Sequence, residues 1–296
     1  MTAMRLGFVG VGVMGVPIVR HLVGAGHSVR AYDPSTPALE KAQAVGAHAA
    51  QSVGDAAAGA QVVFVAVSNQ DVLGEVLRQP DGIFERAAPG AMVVDLGTTA
   101  PPRCRAFAAE ASAAGMSYVD APLSGSAPWA EAGTLAVMVG AEPAAFQTVK
   151  PLLETFGGSI FHLGPPGTGQ IAKLCHQLAF MGTLVGLSEA VVLGERCGID
   201  GVQLMDVLGA CVSPRHVLDF YKPKLASRPF GEGPTGLGIF YKDLKAVQEF
   251  SQQDAGLTLP LGEALLGLFQ QAMDAGYKNF DPFGLSELIE RGVIRR

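Results

Sequence analysis

The stretch Leu6-Gly7-Phe8-Val9-Gly10-Val11-Gly12-Val13-Met14-Gly15 decides the fold of this chain. A short apolar run, typical of a buried strand, leads into the pattern Gly-x-Gly-x-x-Gly, and a helical pattern follows. Gly10 permits a tight turn, Gly12 lets a pyrophosphate approach the backbone, and Gly15 allows close packing of the helix on the strand. We therefore predict a dinucleotide-binding unit. The candidate cofactor contacts in its turn are Gly10, Gly12, Val13, Met14 and Gly15.

An acidic residue lies at the position where a dinucleotide-binding unit carries one, after its second strand. Asp33 follows a second β-type run, Val29-Arg30-Ala31-Tyr32, near the expected spacing of about 20 residues. Its carboxylate can hold the ribose hydroxyls of NAD and would repel a 2′-phosphate. The following residues, Pro34-Ser35-Thr36, include no arginine that could accept that phosphate. The sequence therefore predicts NAD rather than NADP as the cofactor.

Two later strand ends are candidates for further cofactor contacts, because ligands of open α/β sheets bind outside the carboxyl ends of the strands. One is Val67-Ser68-Asn69, and the other is the segment from Asp95 to Thr99, in which Thr98 is the candidate. A plain polar turn would give the same pattern, so that alternative stays open for each.

The rest of the chain separates into two patterns. Up to about residue 163, β-type runs alternate with helical stretches, which predicts a Rossmann-type doubly wound parallel sheet. Beyond Gly164-Pro165-Pro166-Gly167 only helical patterns remain. We predict an NAD-binding domain at 1–165 and an all-α domain at 166–296, joined by a long helix. The predicted strands are 6–9, 29–32, 62–67, 92–95, 117–120, 135–139 and 160–162, and the predicted helix breaks are 198–200, 213–214, 228–238 and 259–260.

The amino-acid composition argues against several classes of function. The chain has 296 residues, 49% of them hydrophobic and 16% charged, as in a soluble globular protein. A net charge of −6 without a basic run argues against nucleic acid or an anionic membrane as the partner. The four cysteines form no Cys-x-x-Cys pair, so we expect neither a disulfide framework nor a metal site, and we expect a cytoplasmic setting.

Two apolar segments raise the question of whether the chain carries a secretory signal or a membrane span. The run 6–13 is interrupted by glycines, which favours a strand over a secretory signal. The segment 178–194 is apolar on all sides except at Ser188 and Glu189, and it is slightly short for a span of about 20 residues. We therefore predict a helix buried between domains and no membrane partner.

The stretch Gly167-Thr168-Gly169-Gln170-Ile171-Ala172-Lys173 places a lysine early in that long apolar helix. Desolvation disfavours the charged ammonium, so a buried lysine can exchange protons near neutral pH. The alternative is a lysine whose ammonium reaches solvent.

Together these motifs resemble those of the β-hydroxyacid dehydrogenase family over nearly the whole chain. The blocks that carry the resemblance are the N-terminal fingerprint, Asp120-Ala121-Pro122-Leu123-Ser124-Gly125-Ser126 followed by Gly133-Thr134-Leu135, the stretch 167–173, and Lys242-Asp243-Leu244. The resemblance implies hydride transfer between NAD and a small 3-hydroxy acid or sugar acid, with the active site in a cleft between a Rossmann domain and a helical domain. We also expect a homodimer or homotetramer.

The resemblance also implies residue roles. Lys173 corresponds to the catalytic acid/base, and Lys242 to a lysine that approaches the cofactor from the helical domain. The loop of Ser124, Gly125 and Ser126 corresponds to the one that binds the substrate carboxylate.

This chain departs from the family pattern at several positions. His176 and Gln177 stand where two asparagines are common, on the same helix face as Lys173. They are similar to the L-threonate dehydrogenase branch, which suggests a more hydroxylated acid as substrate; for His176 a hydrogen-bonded core histidine is the alternative. Ser126 and Trp129 stand where glycine is frequent, and Trp129 either reshapes the substrate pocket or packs against its wall.

Other functions stay open. A semialdehyde reductase would run the same chemistry in the opposite direction. An imine reductase shares the architecture but generally lacks the lysine that Lys173 supplies. A non-catalytic NAD-binding scaffold would use neither Lys173 nor the Ser124 loop.

Overall fold

The computed structural model describes residues 2–211, 230–232, 236–253 and 255–295. The chain divides into two compact units, Met1–Gln177 and Leu178–Arg296. The division falls inside a long helix, so the boundary predicted after residue 165 stays a prediction. The predicted helix break at 213–214 lies outside the described residues, and the one at 228–238 lies partly outside them.

The first unit contains a nine-stranded sheet with the order β3-β2-β1-β4-β5-β6-β8-β7, and β9 also pairs with β8. From β3 to β6 all neighbouring strands are parallel, as predicted. The strand order reverses between β1 and β4, which is where ligands of doubly wound sheets bind. The strands are β1 Arg5–Val9, β2 Ser28–Tyr32, β3 His48–Ala49, β4 Val62–Val65, β5 Met92–Asp95, β6 Ser117–Asp120, β7 Leu123–Ser124, β8 Leu135–Gly140 and β9 Gly157–Gly164.

The far end of the sheet is mixed rather than parallel. Strand β8 runs antiparallel to both β6 and β7, and parallel to β9. Only residues 125–134 connect β7 to β8, and this connection is short for a crossover between parallel strands, which needs a dozen or more residues. All seven predicted strands are present. The sequence analysis missed β3 and β7, because two residues carry no periodicity.

Helices cover both faces of this sheet. Phe8 and Phe64 belong to one buried cluster, whereas Val9 and Val65 belong to the other, because successive strand residues point to opposite faces. Burial on both faces explains why the central strands are apolar at consecutive positions. The helices are α1 Gly15–Gly24, α2 Thr36–Ala44, α3 Val53–Ala57, α4 Gln70–Arg78, α5 Ile83–Arg86, α6 Pro101–Ala113, α7 Ala127–Ala132, α8 Pro143–Leu153 and α9 Thr168–Arg196.

The described elements of the second unit are helical, apart from one isolated bridge between Glu232 and Phe280. Beyond α9 they are α10 Gly201–Ala210, α11 Leu237–Gln253, α12 Pro260–Asp274, a 3₁₀ helix Pro282–Gly284 and α13 Leu285–Glu290. The predicted breaks at 198–200 and 259–260 are therefore present. A small core is formed by Leu237, Ala272, Phe280, Leu288 and Ile294.

Most of helix α9 is exposed among the described residues, so the prediction of a buried helix is wrong for that part of the chain. Leu178 is 79% exposed and Phe180 is 50% exposed. By length and composition α9 could cross a membrane, and core helices of soluble proteins pass the same test. Only 6% of its most apolar window is buried, so the described residues leave much of this apolar surface uncovered.

Candidate active site

The glycine-rich turn is shaped partly by the fold and partly for a ligand. Gly10 has φ +93°, and a Cβ there would lie 2.4 Å from the carbonyl oxygen of Ala66. A Cβ on Gly15 would lie 2.3 Å from the carbonyl oxygen of Gly10. Gly12 has no such neighbour within 4 Å, so packing within the chain does not require glycine there. The open space in front of Gly12 fits the close approach of a pyrophosphate to the backbone.

A cavity of about 670 Å³ opens in front of this turn, at the carboxyl ends of β1 and β4. Its volume lies within the range of about 300–1,000 Å³ typical of small-molecule sites. The predicted cofactor residues that line it are Gly10, Gly12, Val13, Met14, Gly15, Asp33, Val67 and Ser68.

Asp33 connects the end of β2 to the glycine-rich turn. Its Oδ2 accepts a hydrogen bond from the Val11 N–H at 2.9 Å, and its Oδ1 accepts one from the Ser35 N–H at 2.9 Å. Each carboxylate oxygen has a second lone pair, so both can also accept a ribose hydroxyl. The cavity, the open glycine and this carboxylate together fit a dinucleotide with an unmodified ribose.

Two predicted cofactor residues of the first unit, Asn69 and Thr98, do not line the cavity. The Asn69 Oδ1 accepts hydrogen bonds from the N–H groups of Asp71 and Val72, at 2.9 and 3.0 Å, and thereby caps α4. Thr98 is exposed. The Asn69 side chain therefore caps a helix, which agrees with the alternative of a plain polar turn.

Several lining residues were missed from the sequence. The most polar of them, Glu75, brings a second carboxylate to a cavity that already holds Asp33, which further disfavours a 2′-phosphate. No motif marks Val72, Glu75, Val76 and Gln79, because helix α4 and its end reach the cavity only through the tertiary fold. The other lining residues that were not predicted as cofactor contacts are Val9, Tyr32, Pro34, Val53 and Ala66.

The structure brings Lys173, Ser124 and His176 together. Lys173 is 9% exposed, and its Nζ donates a hydrogen bond to the Leu123 carbonyl oxygen at 2.8 Å. Ser124 Oγ and His176 Nε2 lie 3.0 Å apart in a hydrogen bond whose direction depends on the histidine tautomer. The Lys173 side chain is therefore buried at a backbone carbonyl instead of reaching solvent.

Burial determines the electrostatics of this group. It lowers the pKa of Lys173, because the charged ammonium loses hydration. Burial is also the main cause of the lowered pKa of His176, and the positive charge of Lys173 adds to it. Both shifts favour neutral side chains, and a neutral amine can accept a proton.

The remaining predicted substrate residues lie on the same two segments of the chain, the loop after β7 and helix α9. Gly125 has φ +125°, and a Cβ there would lie 2.9 Å from the Trp129 Cβ, so only glycine fits beside that tryptophan. Ser126 precedes α7, and Trp129 is 53% exposed on that helix. Gln177 lies half-buried on α9. Lys242 lies exposed on α11, in the second unit, and its predicted role stays a prediction.

These features define a dinucleotide-dependent enzyme with a Rossmann-type unit, and comparisons with known proteins identify its type. Residues 5–164 match a family described as the NAD binding domain of 6-phosphogluconate dehydrogenase. Residues 167–288 match one described as NAD-binding of NADP-dependent 3-hydroxyisobutyrate dehydrogenase.

Three known proteins illustrate the similarity. The chain is 34% identical to an NAD-dependent L-serine dehydrogenase of Pseudomonas aeruginosa, over 94% of this chain and 95% of that protein. The solved structure of Mycobacterium tuberculosis 3-hydroxyisobutyrate dehydrogenase with L-serine is 28% identical, with a TM-score of 0.66 over 97% of this chain and 99% of that one. An imine reductase from Myxococcus stipitatus with NADP⁺ reaches a TM-score of 0.86 at 18% identity, over 96% of this chain and 99% of that one, and shows the shared fold alone.

The chain belongs to the β-hydroxyacid dehydrogenase family. It is an NAD-dependent oxidoreductase that acts on the CH–OH group of a hydroxy acid, as the sequence analysis expects.

Proposed function

We propose that this protein transfers a hydride between NAD and a small 3-hydroxy acid, with Lys173 as the general acid/base. The observation that carries this proposal is the buried Lys173 amine beside the pair formed by Ser124 and His176. The similarity to an L-serine dehydrogenase supports the substrate class, because L-serine is itself a 3-hydroxy acid.

In the oxidation direction, the neutral Lys173 amine accepts the proton of the substrate hydroxyl. NAD, held at the glycine-rich turn and Asp33, would supply the acceptor for the hydride, which leaves the hydroxyl-bearing carbon with its electron pair, so that the alcohol becomes a carbonyl group. In reduction, the Lys173 ammonium returns the proton to the carbonyl oxygen. The hydrogen bond from Nζ to the Leu123 carbonyl orients the amine, and the lowered pKa of Lys173 keeps a usable fraction of it neutral.

The loop that follows β7 binds the substrate carboxylate. Ser124 offers a hydroxyl group, and Gly125 and Ser126 offer backbone N–H groups to the anion. His176 orients the Ser124 hydroxyl through their hydrogen bond. With Gln177 on the same helix, this polar surface favours a substrate that carries a further hydroxyl or amino group.

We also propose a cytoplasmic homodimer or homotetramer in which the domain 166–296 forms the contact between subunits. Apolar side chains on α9 and α10 that the described residues leave exposed support a second copy as their cover, among them Leu178, Val202 and Val207. Light scattering should give a mass of at least twice 30.6 kDa for protein purified without detergent. A monomer in solution, or recovery only with membranes, would contradict this assignment.

A substrate screen tests the proposed activity. Wild-type protein is mixed with NAD and with L-serine, 3-hydroxyisobutyrate, threonate or glycerate, and NADH is followed by its absorbance. We expect turnover with at least one of these acids and none with the matching acids that lack the 3-hydroxyl group. Turnover only from a semialdehyde and NADH would favour the reductase direction. Binding of NAD without turnover in either direction would favour a scaffold and overturn the proposal.

A further inference from the structure

One short segment of the chain contacts α9 at successive turns. The Asp120 carboxylate accepts hydrogen bonds from the N–H groups of Gly167, at 2.7 Å, and Gln170, at 2.8 Å. The next contact along α9 is the bond of Lys173 to the Leu123 carbonyl, and the one after it joins His176 to Ser124. Gln170, Lys173 and His176 are spaced by three residues and therefore share one face of the helix. Residues 120–124 thus fix the register of α9.

Asp120 is well suited to hold the start of this helix. It is fully buried, and its two oxygens accept hydrogen bonds from N–H groups just before α9, at Gly167, and in its first turn, at Gln170. Helices have unpaired donors at this end and favour a negative charge there. The start of α9 is also tightly packed. A Cβ on Gly169 would lie 2.4 Å from the Met138 carbonyl oxygen, so the backbone has little room to shift.

Gln170 ties the same turn to the end of β5. Its side-chain Oε1 accepts a hydrogen bond from the Thr99 N–H at 2.9 Å, and its Nε2 donates to the Gly97 carbonyl at 3.0 Å. A longer bond of 3.4 Å reaches Asp95, which also accepts hydrogen bonds from the hydroxyls of Thr99 and Tyr118. Fully partnered polar networks in a low-dielectric interior hold their members in one arrangement.

We propose that Asp120 and Gln170 are positioning residues for Lys173. They anchor the first turn of α9, so that Nζ, one turn further on, lies at the Leu123 carbonyl with its amine directed to the substrate site. A slip of α9 by one residue would move Lys173 by about 1.5 Å along the axis and rotate it by about 100°. A misplacement of about 1 Å can lower a rate by about 100-fold. The proposal rests on the proposed role of Lys173.

Asp120→Asn tests the proposal, because it keeps the side-chain size but replaces one acceptor oxygen with a donor that faces a backbone N–H. The matched control is Asp200→Asn, which makes the same change at the start of α10, where Asp200 accepts the Gln203 N–H at 2.9 Å. For both variants kcat, KM and the Kd of NAD are measured. We expect kcat to fall by about 10- to 100-fold in Asp120→Asn, with the Kd of NAD unchanged, and no change of kcat in Asp200→Asn.

A second readout does not depend on turnover. The acetylation rate of Lys173 by acetic anhydride is followed by mass spectrometry across pH, which gives the pKa of this amine directly. If Asp120 positions Lys173, Asp120→Asn should move the pKa of Lys173 towards the ordinary lysine value of about 10.4. An unchanged labelling profile with kcat within threefold of wild type would overturn the proposal. A shifted profile with unchanged kcat would instead contradict the catalytic role of Lys173 and leave its positioning intact.

If Asp120→Asn does not fold, Gln170→Met provides the test instead. This variant removes the hydrogen bonds to Thr99 and Gly97 but keeps the helix, so we expect the same fall of kcat. Hydrogen exchange on wild-type protein gives an answer without any variant. The amides of Gly167 and Gln170 should exchange as slowly as those of β5, and rapid exchange would overturn the proposal.

Discussion

The role of Asp33 in selecting the cofactor gives a sharp prediction. We expect Asp33→Ala to weaken NAD binding and to relax discrimination against NADP. Each hydrogen bond to a charged group contributes about 1.5–3 kcal/mol, so the loss of a single ribose bond should raise the Kd of NAD by about 10- to 150-fold. Removing the negative charge also removes its repulsion of a 2′-phosphate, so the Kd of NADP should change much less or fall.

The structure adds a complication that the assay must resolve. Asp33 also accepts the Val11 N–H, so Asp33→Ala loosens the glycine-rich turn as well. A looser turn weakens the binding of NAD and of NADP alike, whereas loss of ribose recognition weakens the binding of NAD selectively. Titration of both dinucleotides by Trp129 fluorescence or calorimetry separates these effects. Glu40→Ala removes an exposed acid of α2 outside the cavity and serves as the control.

Two outcomes would refute this reasoning. The first is a wild-type protein that already binds NADP more tightly than NAD. The second is a parallel rise of both dissociation constants in Asp33→Ala, which would reduce the role of Asp33 to holding the turn.

Two further predictions concern polar side chains of the first unit, the half-buried Ser124 and the buried Asp95. Ser124→Ala should raise the KM of the hydroxy acid by about tenfold or more, while the Kd of NAD stays within twofold, because a hydrogen bond to a charged group is lost at the carboxylate only; equal losses in both would show a disturbed fold instead. Burial raises the pKa of Asp95 from 3.8 to about 6, so the folded state holds this proton more tightly, and the stability it contributes is present below pH 4 and lost as pH rises through about 6. About two pKa units correspond to about 3 kcal/mol. The free energy of unfolding of Asp95→Asn, relative to that of wild type, should therefore rise by about that much between pH 4 and pH 8. Urea unfolding followed by Trp129 fluorescence measures this difference, and a rise of zero would contradict the prediction.

The first half of the fold could be predicted from the sequence, because its local patterns agree with its tertiary structure. Strand, glycines, helix and acid all specify the same unit, and fully apolar strands such as Val62–Val65 identify a sheet buried on both faces. The antiparallel pairing of β8 could not be predicted, because it depends on a short connection and on strands of two residues. The exposure of α9 could not be predicted either, since an apolar helix has the same composition whether it is covered by its own chain or by another.

The candidate site was predictable where a motif states its chemistry. Lys173 and Ser124 were selected from motifs that resemble those of the family, and His176 from a departure from that pattern; the structure brings the three together. The contributions of Glu75 and Gln79 to the cofactor cavity were not predictable, since they depend on how α4 packs. A signal for the anchoring network was present in the sequence: Asp95 and Asp120 each end a strand directly after a valine, and buried carboxylates require partners.

Whether Lys173 exchanges the substrate proton is shown by the kcat of Lys173→Ala and Lys173→Arg, measured alongside the Kd of NAD. General acid/base catalysis contributes about 10²- to 10⁴-fold, so we predict that Lys173→Ala lowers kcat by at least that factor while NAD still binds. Lys173→Arg should not restore turnover, because a guanidinium stays protonated and cannot accept the hydroxyl proton. Near-normal turnover in Lys173→Ala would contradict the account and move the proton chemistry to His176.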